Sequence, residues 1–197
     1  MVDTIMIGRL GETEIAAVGQ ANQLFFLFTL FLFGVNSGAA IFTAQFWGIR
    51  DIKNIRRVLG IGLMTASAAS VIFTALALLF PEQVLLIYSA DPAVIALGSE
   101  YLRIVGWSYG ITAVTFTYSA VLRSTENAKL PMMLSIVSLG TNSFLNYVLI
   151  FGEFGFPMLG VKGAAVATLI SRVVEVFLLL LLVYAKKDVA AASIREM

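Results

Sequence analysis

Four long stretches of this chain contain no charged residue. No Asp, Glu, Lys or Arg occurs in residues 15–49, 58–81, 104–122 or 130–152, which are runs of 35, 24, 19 and 23 residues. The hydrocarbon core of a bilayer is about 30 Å thick, and roughly 20 apolar residues cross it as a helix. Each stretch is therefore long enough to span a membrane, and the sequence predicts an all-α, polytopic membrane helical bundle.

The composition agrees with this fold class and excludes several kinds of chemistry. Hydrophobic residues make up 59% of the chain and charged residues 13%, against about 25% charged in soluble domains. Because cysteine and histidine are both absent, the sequence excludes disulfides and His- or Cys-based metal sites and nucleophiles. A net charge of +1 without a basic stripe gives no reason to expect a nucleic-acid partner. No nucleophile–base pair or phosphate loop is visible, so we expect a non-enzyme without a cofactor.

Two further segments complete the predicted helices. Residues 164–184 form a fifth span whose only charges are Arg172 and Glu175, whereas the apolar segment 2–7 is too short to cross alone. We interpret that segment as the end of a helix whose beginning is missing. The sequence thus predicts a transmembrane unit over residues 1–185, followed by a cytoplasmic tail or linker over 186–197. The helices of this unit are expected at approximately 1–9, 15–47, 58–80, 93–121, 131–151 and 162–185.

Proline, glycine and acidic residues mark the boundaries of these helices. Pro81 closes the second full span, and Asp91 and Pro92 have the pattern of an N-cap followed by the first residue of a helix. Pro131 lies in the first turn of the fourth span. A glycine-rich segment over residues 152–160 predicts a short turn before the last helix.

The lysine and arginine residues are divided unequally between alternate loops. One set of loops carries nine of the thirteen: Arg50, Lys53, Arg56, Arg57, Arg123, Lys129, Lys186, Lys187 and Arg195. The other set carries only Arg9 and Lys162. Because cytoplasmic loops carry the excess of Lys and Arg, we predict that the first set is cytoplasmic. The protein is then a multi-pass plasma-membrane protein whose C-terminal end lies in the cytoplasm.

Two glycine pairs have the spacing that allows membrane helices to approach closely. Gly34 and Gly38 are four residues apart, and so are Gly106 and Gly110. Small residues at this spacing favour helix–helix packing in membranes. Chance occurrence in a glycine-rich membrane protein explains the two pairs equally well.

Asp3 is the first polar residue that needs an explanation, because it lies in an apolar segment. A carboxylate within a membrane span is costly and is by default a candidate functional residue. Desolvation in a cavity would favour proton uptake, and neutral oxygen atoms around it would allow it to bind Na⁺ instead. A polar residue near a frayed terminus is the remaining interpretation.

A second polar group lies on the last two predicted helices. Asn142 and Asn146 are one turn apart and share a helix face, where their amides need hydrogen-bond partners or a hydrated cavity. Thr168 and Ala164 form a polar and small stripe on the last helix, although a threonine hydroxyl can also bond its own helix. Arg172 and Glu175 are three residues apart, and we interpret them as a structural ion pair.

Four motifs in order resemble one known family. They are residues 2–11 (VDTIMIGRLG) with 15–19 (IAAVG), residues 44–48 (AQFWG), residues 122–132 (LRSTENAKLPM), and residues 142–155 with 159–168 (LGVKGAAVAT). Together they resemble the multidrug and toxic compound extrusion (MATE) transporters and cover essentially the whole chain. The resemblance implies a twelve-helix transporter in two six-helix lobes, of which this chain would be the first lobe with a truncated first helix.

The resemblance also implies a cation site in this lobe. The site residues carry over to Asp3, Asn142, the position of Asn146, and Thr168, with Ala164 as a backbone ligand. Many family members have an aspartate where this chain has Asn146. This departure favours proton coupling at Asp3 over tight Na⁺ binding.

The function that the resemblance implies is antiport. The complete transporter would export cationic or amphipathic drug-like molecules in exchange for H⁺ or Na⁺, within the lipid bilayer and together with a C-terminal lobe. One alternative is a lipid-linked oligosaccharide flippase of the same superfamily, which would favour a basic cavity. A non-transporting membrane scaffold is the other alternative, and the intramembrane polar residues argue against it.

Overall fold

The computed structural model describes the backbone of residues 2–192 and the side chains of residues 5–192. Over that range the chain is helical and contains no β-strand. Eight α-helices follow one another: α1 (Val2–Ile7), α2 (Glu12–Gly48), α3 (Ile52–Leu79), α4 (Pro81–Leu86), α5 (Pro92–Val105), α6 (Ser108–Ser124), α7 (Lys129–Phe151) and α8 (Val161–Ala185). A 3₁₀ turn, Glu153–Gly155, lies between α7 and α8.

Four of these helices are individually long and apolar enough to cross a membrane, namely α2, α3, α7 and α8. The span predicted over 93–121 is instead divided into α5 and α6 at Gly106 and Trp107, which both keep right-handed helical dihedral angles. A contact with α3 accounts for this interruption. The Thr74 hydroxyl on α3 donates a hydrogen bond to the Gly106 carbonyl oxygen at 3.1 Å, and a side chain that competes for a backbone carbonyl disturbs a helix.

The start of α3 also differs from the prediction. The helix begins at Ile52 rather than near residue 58, because the Asp51 carboxylate accepts hydrogen bonds from the Asn54 backbone N–H at 3.1 Å and from its side-chain amide at 2.6 Å. This is an N-cap that satisfies free donors of the first turn. Three basic residues expected in a loop therefore lie in the first turns of α3: Lys53, Arg56 and Arg57.

The cap predicted at Asp91 is confirmed. Its carboxylate accepts the Ala93 N–H at 2.8 Å, and Pro92 is the first residue of α5. Pro81 ends α3 as expected, but it is also the first residue of the short helix α4, which the sequence analysis did not predict.

The main buried cluster joins α2, α3, α4, α5 and α6 with the ends of α1 and α7 and the start of α8. At its centre Phe28 stacks on Tyr109 with 5.2 Å between ring centroids, and Phe73 packs against Phe28 at the same distance. Many other large apolar side chains on α2, α3 and α8 are exposed, among them Phe26, Phe33, Met64, Ile72 and Phe177. Such an apolar exterior is what a lipid-facing bundle requires.

The two glycine pairs have different surroundings. A Cβ added at Gly106 would meet the Ala77 Cβ at 2.8 Å, and Gly110 faces Ser70 on the same helix. Nothing lies within 4 Å of the position that a Cβ would take at Gly34 or Gly38. Only the 106/110 pair therefore brings two helices of the described chain together.

The segment that follows α8 folds back onto the bundle. The Asn127 amide donates to the Asp188 carboxylate at 2.9 Å, and the Tyr184 hydroxyl donates to the Ala192 carbonyl oxygen at 2.8 Å. Ala190 and Ala192 are buried among residues of α3, α6, α7 and α8. Residues 193–197, including Arg195, lie outside the described range.

Candidate functional site

Helices α7 and α8 form a closely packed antiparallel pair. A tight connection joins them, in which the Leu159 N–H donates to the Leu149 carbonyl oxygen at 2.9 Å. Gly152 ends α7 with a φ of +75°, and a Cβ there would lie 2.8 Å from the Met158 nitrogen. At Gly163 a Cβ would come within 2.5 Å of the Leu149 carbonyl oxygen. Glycine at these positions lets the two backbones approach each other.

Polar side chains face each other along this interface in a constant register. The Asn142 amide donates to the Thr168 hydroxyl at 3.4 Å, and the Ser138 hydroxyl donates to the Ser171 carbonyl oxygen at 3.3 Å. Towards the start of α7, the Ser135 hydroxyl donates to Oε1 of Glu175 at 3.4 Å. The interface is therefore a polar seam between two helices that are otherwise apolar.

Three of the side chains predicted as a site form one hydrogen-bonded chain. The Asn146 amide donates to Oδ1 of Asn142 at 3.0 Å, Asn142 donates to Thr168, and the Thr168 hydroxyl donates to the Ala164 carbonyl oxygen at 3.0 Å. Asn142 is 8% exposed and Asn146 is fully buried. This series of hydrogen-bonded side chains presents neutral oxygen atoms in the membrane interior, where every buried polar group needs a partner.

Asp3 lies in α1, and its side chain is outside those that the structure describes. The helix itself packs against both α7 and α8. Ile7, one turn after Asp3, is 1% exposed and belongs to the same buried cluster as Ile150 and Ala164. Helix α1 thus lies beside the pair of helices that carries the polar chain.

A half-open cavity of about 280 Å³ runs along the seam. It is lined by Ser135, Ser138, Leu139 and Asn142 from α7 and by Thr168, Ser171, Arg172 and Glu175 from α8. The sequence analysis missed Ser135, Ser138 and Ser171. For the first two the spacing was an available signal, because residues 135 and 138 share one face of a helix with Asn142.

The ion pair expected between Arg172 and Glu175 is present, with a distance of 2.8 Å. Two further ion pairs join neighbouring helices. Glu100 contacts Lys162 at 3.2 Å and Arg103 contacts Glu82 at 3.9 Å, and all four side chains are about half exposed. Across the described residues no three Asp, Glu, His or Cys side chains lie close enough to hold a metal ion.

Known proteins resemble this chain in sequence and in fold. The family model described as MatE matches residues 1–148. The chain is 39% identical over 169 residues to the probable multidrug resistance protein NorM of Rhizobium meliloti, covering 85% of this chain and 36% of the relative. It is 34% identical over 188 residues to the probable multidrug resistance protein YoeA of Bacillus subtilis, covering 95% and 40%.

A solved structure has the same arrangement of helices. It is described as the inward-facing conformation of a multidrug resistance MATE family transporter of the MOP superfamily, and it superposes with a TM-score of 0.89 at 24% identity. The match covers 100% of this chain and 44% of that chain. The present chain therefore spans well under half of the length of the proteins that it matches.

Proposed function

Because the chain belongs to the MATE family of membrane transporters, we propose that it forms one lobe of a transporter that exports drug-like cations in exchange for H⁺ or Na⁺. The relatives NorM and YoeA are named as probable multidrug resistance proteins, which supports the substrate class. The second lobe of such a transporter would supply the other wall of a central cleft, so that rocking of the lobes alternates access to it.

One observation carries the proposal. The Asn146–Asn142–Thr168 chain lies between two membrane-spanning helices, beside the helix that contains Asp3 and next to a cavity. Intramembrane polar clusters of this kind mark ion pathways in transporters. We propose that Asp3 takes up the proton or Na⁺ and that Asn142, Asn146, Thr168 and the Ala164 carbonyl group orient or ligate it.

The proposed coupling follows from differential binding. An ion shifts a conformational equilibrium only by as much as it prefers one state over the other. A bound cation neutralises Asp3 and allows α1 to pack differently against α7 and α8, whereas the empty site keeps a charge that must remain hydrated. Drug release and ion entry are then linked through the same lobe.

The orientation belongs to the same proposal. Lys53 and Lys187 are exposed at the end of the bundle where α3 begins and α8 ends, and the loops at that end carry the excess of positive charge. We propose that this end faces the cytoplasm, so that drug export runs from it towards the end that carries Glu153.

The two alternatives are less well supported. A flippase for pyrophosphate-linked lipids favours a basic cavity, yet the charge of Arg172 in the cavity beside Asn142 is paired with Glu175. A passive scaffold gives no reason for a buried chain of amides beside a cavity, since such groups cost several kcal/mol when they are not satisfied.

Transport by the complete protein tests the proposal. In proteoliposomes with an imposed pH or Na⁺ gradient, we expect export of a fluorescent organic cation that Asp3→Asn abolishes while the protein stays folded. Glu12→Gln, a change of an exposed carboxylate at the start of α2, is the matched control and should transport normally. Gradient-driven export that survives Asp3→Asn would contradict the proposed site, and transfer of a lipid-linked oligosaccharide without drug export would favour the flippase.

A further inference from the structure

Glu175 is a buried carboxylate that the coupling scheme above does not use. Its residue is 4% exposed, and it is the one buried charged residue among the described side chains. Oε2 of Glu175 pairs with Arg172 at 2.8 Å, while Oε1 accepts the Ser135 hydroxyl at 3.4 Å. A purely structural pair would leave little reason for the Glu175 side chain to line a cavity of about 280 Å³.

The same cavity reaches the Asn142–Thr168 pair. Ser135 and Glu175 lie seven residues from Asn142 and Thr168 on their respective helices, which corresponds to about 10 Å of helix axis. Ser138 and Ser171 lie between the two levels and are joined by a hydrogen bond of 3.3 Å. The Ser138 hydroxyl and the Ser171 carbonyl oxygen therefore lie between Glu175 and Asn142 along the same cavity.

We propose that Glu175 and Ser135 form a second station for the coupling cation, between the Lys129/Ala185 end of the helix pair and the Asn142–Thr168 cluster. The proposal rests on the proposed function, because it concerns the same cation. Arg172 acts as a tethered cation that neutralises Glu175 while the station is empty.

The geometry allows this exchange without leaving a buried charge unpaired. Removing one partner from a buried ion pair is strongly unfavourable, so a cation must reach Glu175 before Arg172 leaves. The Arg172 side chain is 30% exposed whereas that of Glu175 is 5% exposed. Arg172 is thus able to turn towards the open side of the cavity when H⁺ or Na⁺ takes its place on the carboxylate.

No other charged group lies at this level of the interface among the described side chains. Apart from Glu175 and Arg172, the cavity is lined by neutral residues of α7 and α8. The titratable pairs that α8 makes with α5 and α6 lie at its two ends, namely Lys162 with Glu100 and Tyr184 with Tyr118. Competition for Glu175 is therefore between Arg172 and the incoming cation.

Opposite effects of two substitutions test the station. In the complete transporter reconstituted in proteoliposomes, Glu175→Gln should raise the Na⁺ or H⁺ concentration needed for half-maximal export by about tenfold. Arg172→Gln should lower that concentration, because it removes the competing cation. The double variant should behave like Glu175→Gln, since no carboxylate remains, and the exposed control Glu153→Gln should leave the cation dependence unchanged.

A structural ion pair gives a different pattern. Both single variants would then impair export in the same direction, and the double variant, which leaves no unpaired charge, would recover. That result would overturn the proposal, and so would normal cation dependence in Glu175→Gln.

A stability measurement covers variants that fold poorly or do not transport. A ligand that binds only the folded state raises the melting temperature with its concentration. In detergent, the melting temperature of Arg172→Gln should respond to Na⁺ or to pH more strongly than that of the wild type, and the double variant should lose this additional response and keep only that of the Asp3 site. An Arg172→Gln protein without the stronger response refutes the station even if no export is detected.

The two proposals fail in different ways. Absence of any gradient-driven drug export by the wild-type protein contradicts the proposed function. Coupled export that is indifferent to Glu175→Gln contradicts the station alone.

Discussion

Ser135 on α7 faces Glu175 on α8, with 3.4 Å between the serine hydroxyl and the carboxylate. Asn142 and Thr168 face each other at the same distance seven residues away on both helices. Seven residues are about two helical turns, so both pairs lie on one face of the antiparallel pair. The Ser135–Glu175 pair and the Asn142–Thr168 pair therefore open to one cavity. The effects that substitutions in the two pairs have on export can be compared directly.

Loss of the hydrogen bond between Asn142 and Thr168 should weaken cation binding more than loss of a threonine hydroxyl that bonds only its own helix. Thr168→Val removes the hydroxyl that accepts from Asn142, so we expect a weaker apparent cation affinity by about tenfold or less. Thr65→Val is the matched control, because the Thr65 hydroxyl is exposed and bonds only the Ile61 carbonyl oxygen of its own helix. The cation dependence of export measures both variants, and equal effects at positions 168 and 65 would contradict a role for the interface.

A methyl group at Gly163 should destabilise the protein, whereas one at Gly34 should not. The added Cβ at Gly163 would lie 2.5 Å from the Leu149 carbonyl oxygen, and backbone cannot move aside as a flexible side chain does. We expect Gly163→Ala to cost about 1–3 kcal/mol. Gly34→Ala meets open space and should be neutral or slightly stabilising, since alanine favours helix. Thermal unfolding in detergent compares the two variants, and equal melting temperatures would show that α7 and α8 are less closely packed than described.

The segment after α8 should detach when Asp188 is changed. Its carboxylate accepts the Asn127 amide at 2.9 Å and the Ala190 N–H at 3.2 Å, and hydrogen bonds to a charged group contribute about 1.5–3 kcal/mol. We expect Asp188→Ala to accelerate tryptic cleavage after Lys186 and Lys187 severalfold. Glu153→Ala, at the opposite end of the bundle, should leave the cleavage rate unchanged, and a rate unaffected by Asp188→Ala would contradict the folded-back segment.

The orientation in the membrane is open to a direct test. The chain contains no cysteine, so Lys53→Cys and Glu153→Cys each introduce a single thiol at an exposed position. An impermeant maleimide applied to intact cells should label position 153 and should reach position 53 only after the membrane is opened. Labelling of both from the same side would exclude the proposed topology.

Three of the four charge-free runs lie in helices long and apolar enough to cross a membrane, namely α2, α3 and α7, because burial in lipid excludes charge over a whole helix length. The fourth run, 104–122, is divided between α5 and α6. What the sequence did not predict depends on contacts between helices. At the break the Gly106 carbonyl oxygen accepts a hydrogen bond from the Thr74 hydroxyl of α3, and Gly106 packs against Ala77 of that helix whereas nothing lies opposite Gly34. Neither difference is visible in the local sequence.

The candidate site shows the same limit. Asn142 and Asn146 stood out because amides are rare in apolar spans, whereas Thr168 was included through the family resemblance, and the three are hydrogen bonded in series. Ser135, Ser138 and Ser171 did not stand out, since small hydroxyl residues are common in membrane helices and serve equally well as packing residues. The antiparallel register of α7 and α8 is what turns them into the lining of a cavity.

The two ends of the bundle are held together by interactions of different strength. Where α8 ends, partly buried hydrogen bonds of Asp188 and Ala192 join the segment after it to Asn127 and to Tyr184 at the end of α8. Where α8 begins, the connections include the half-exposed ion pairs of Lys162 and Arg103, which water and salt weaken. Rising ionic strength should therefore weaken the ion-pair contacts at the end where α8 begins more than the hydrogen bonds at the end where α8 finishes.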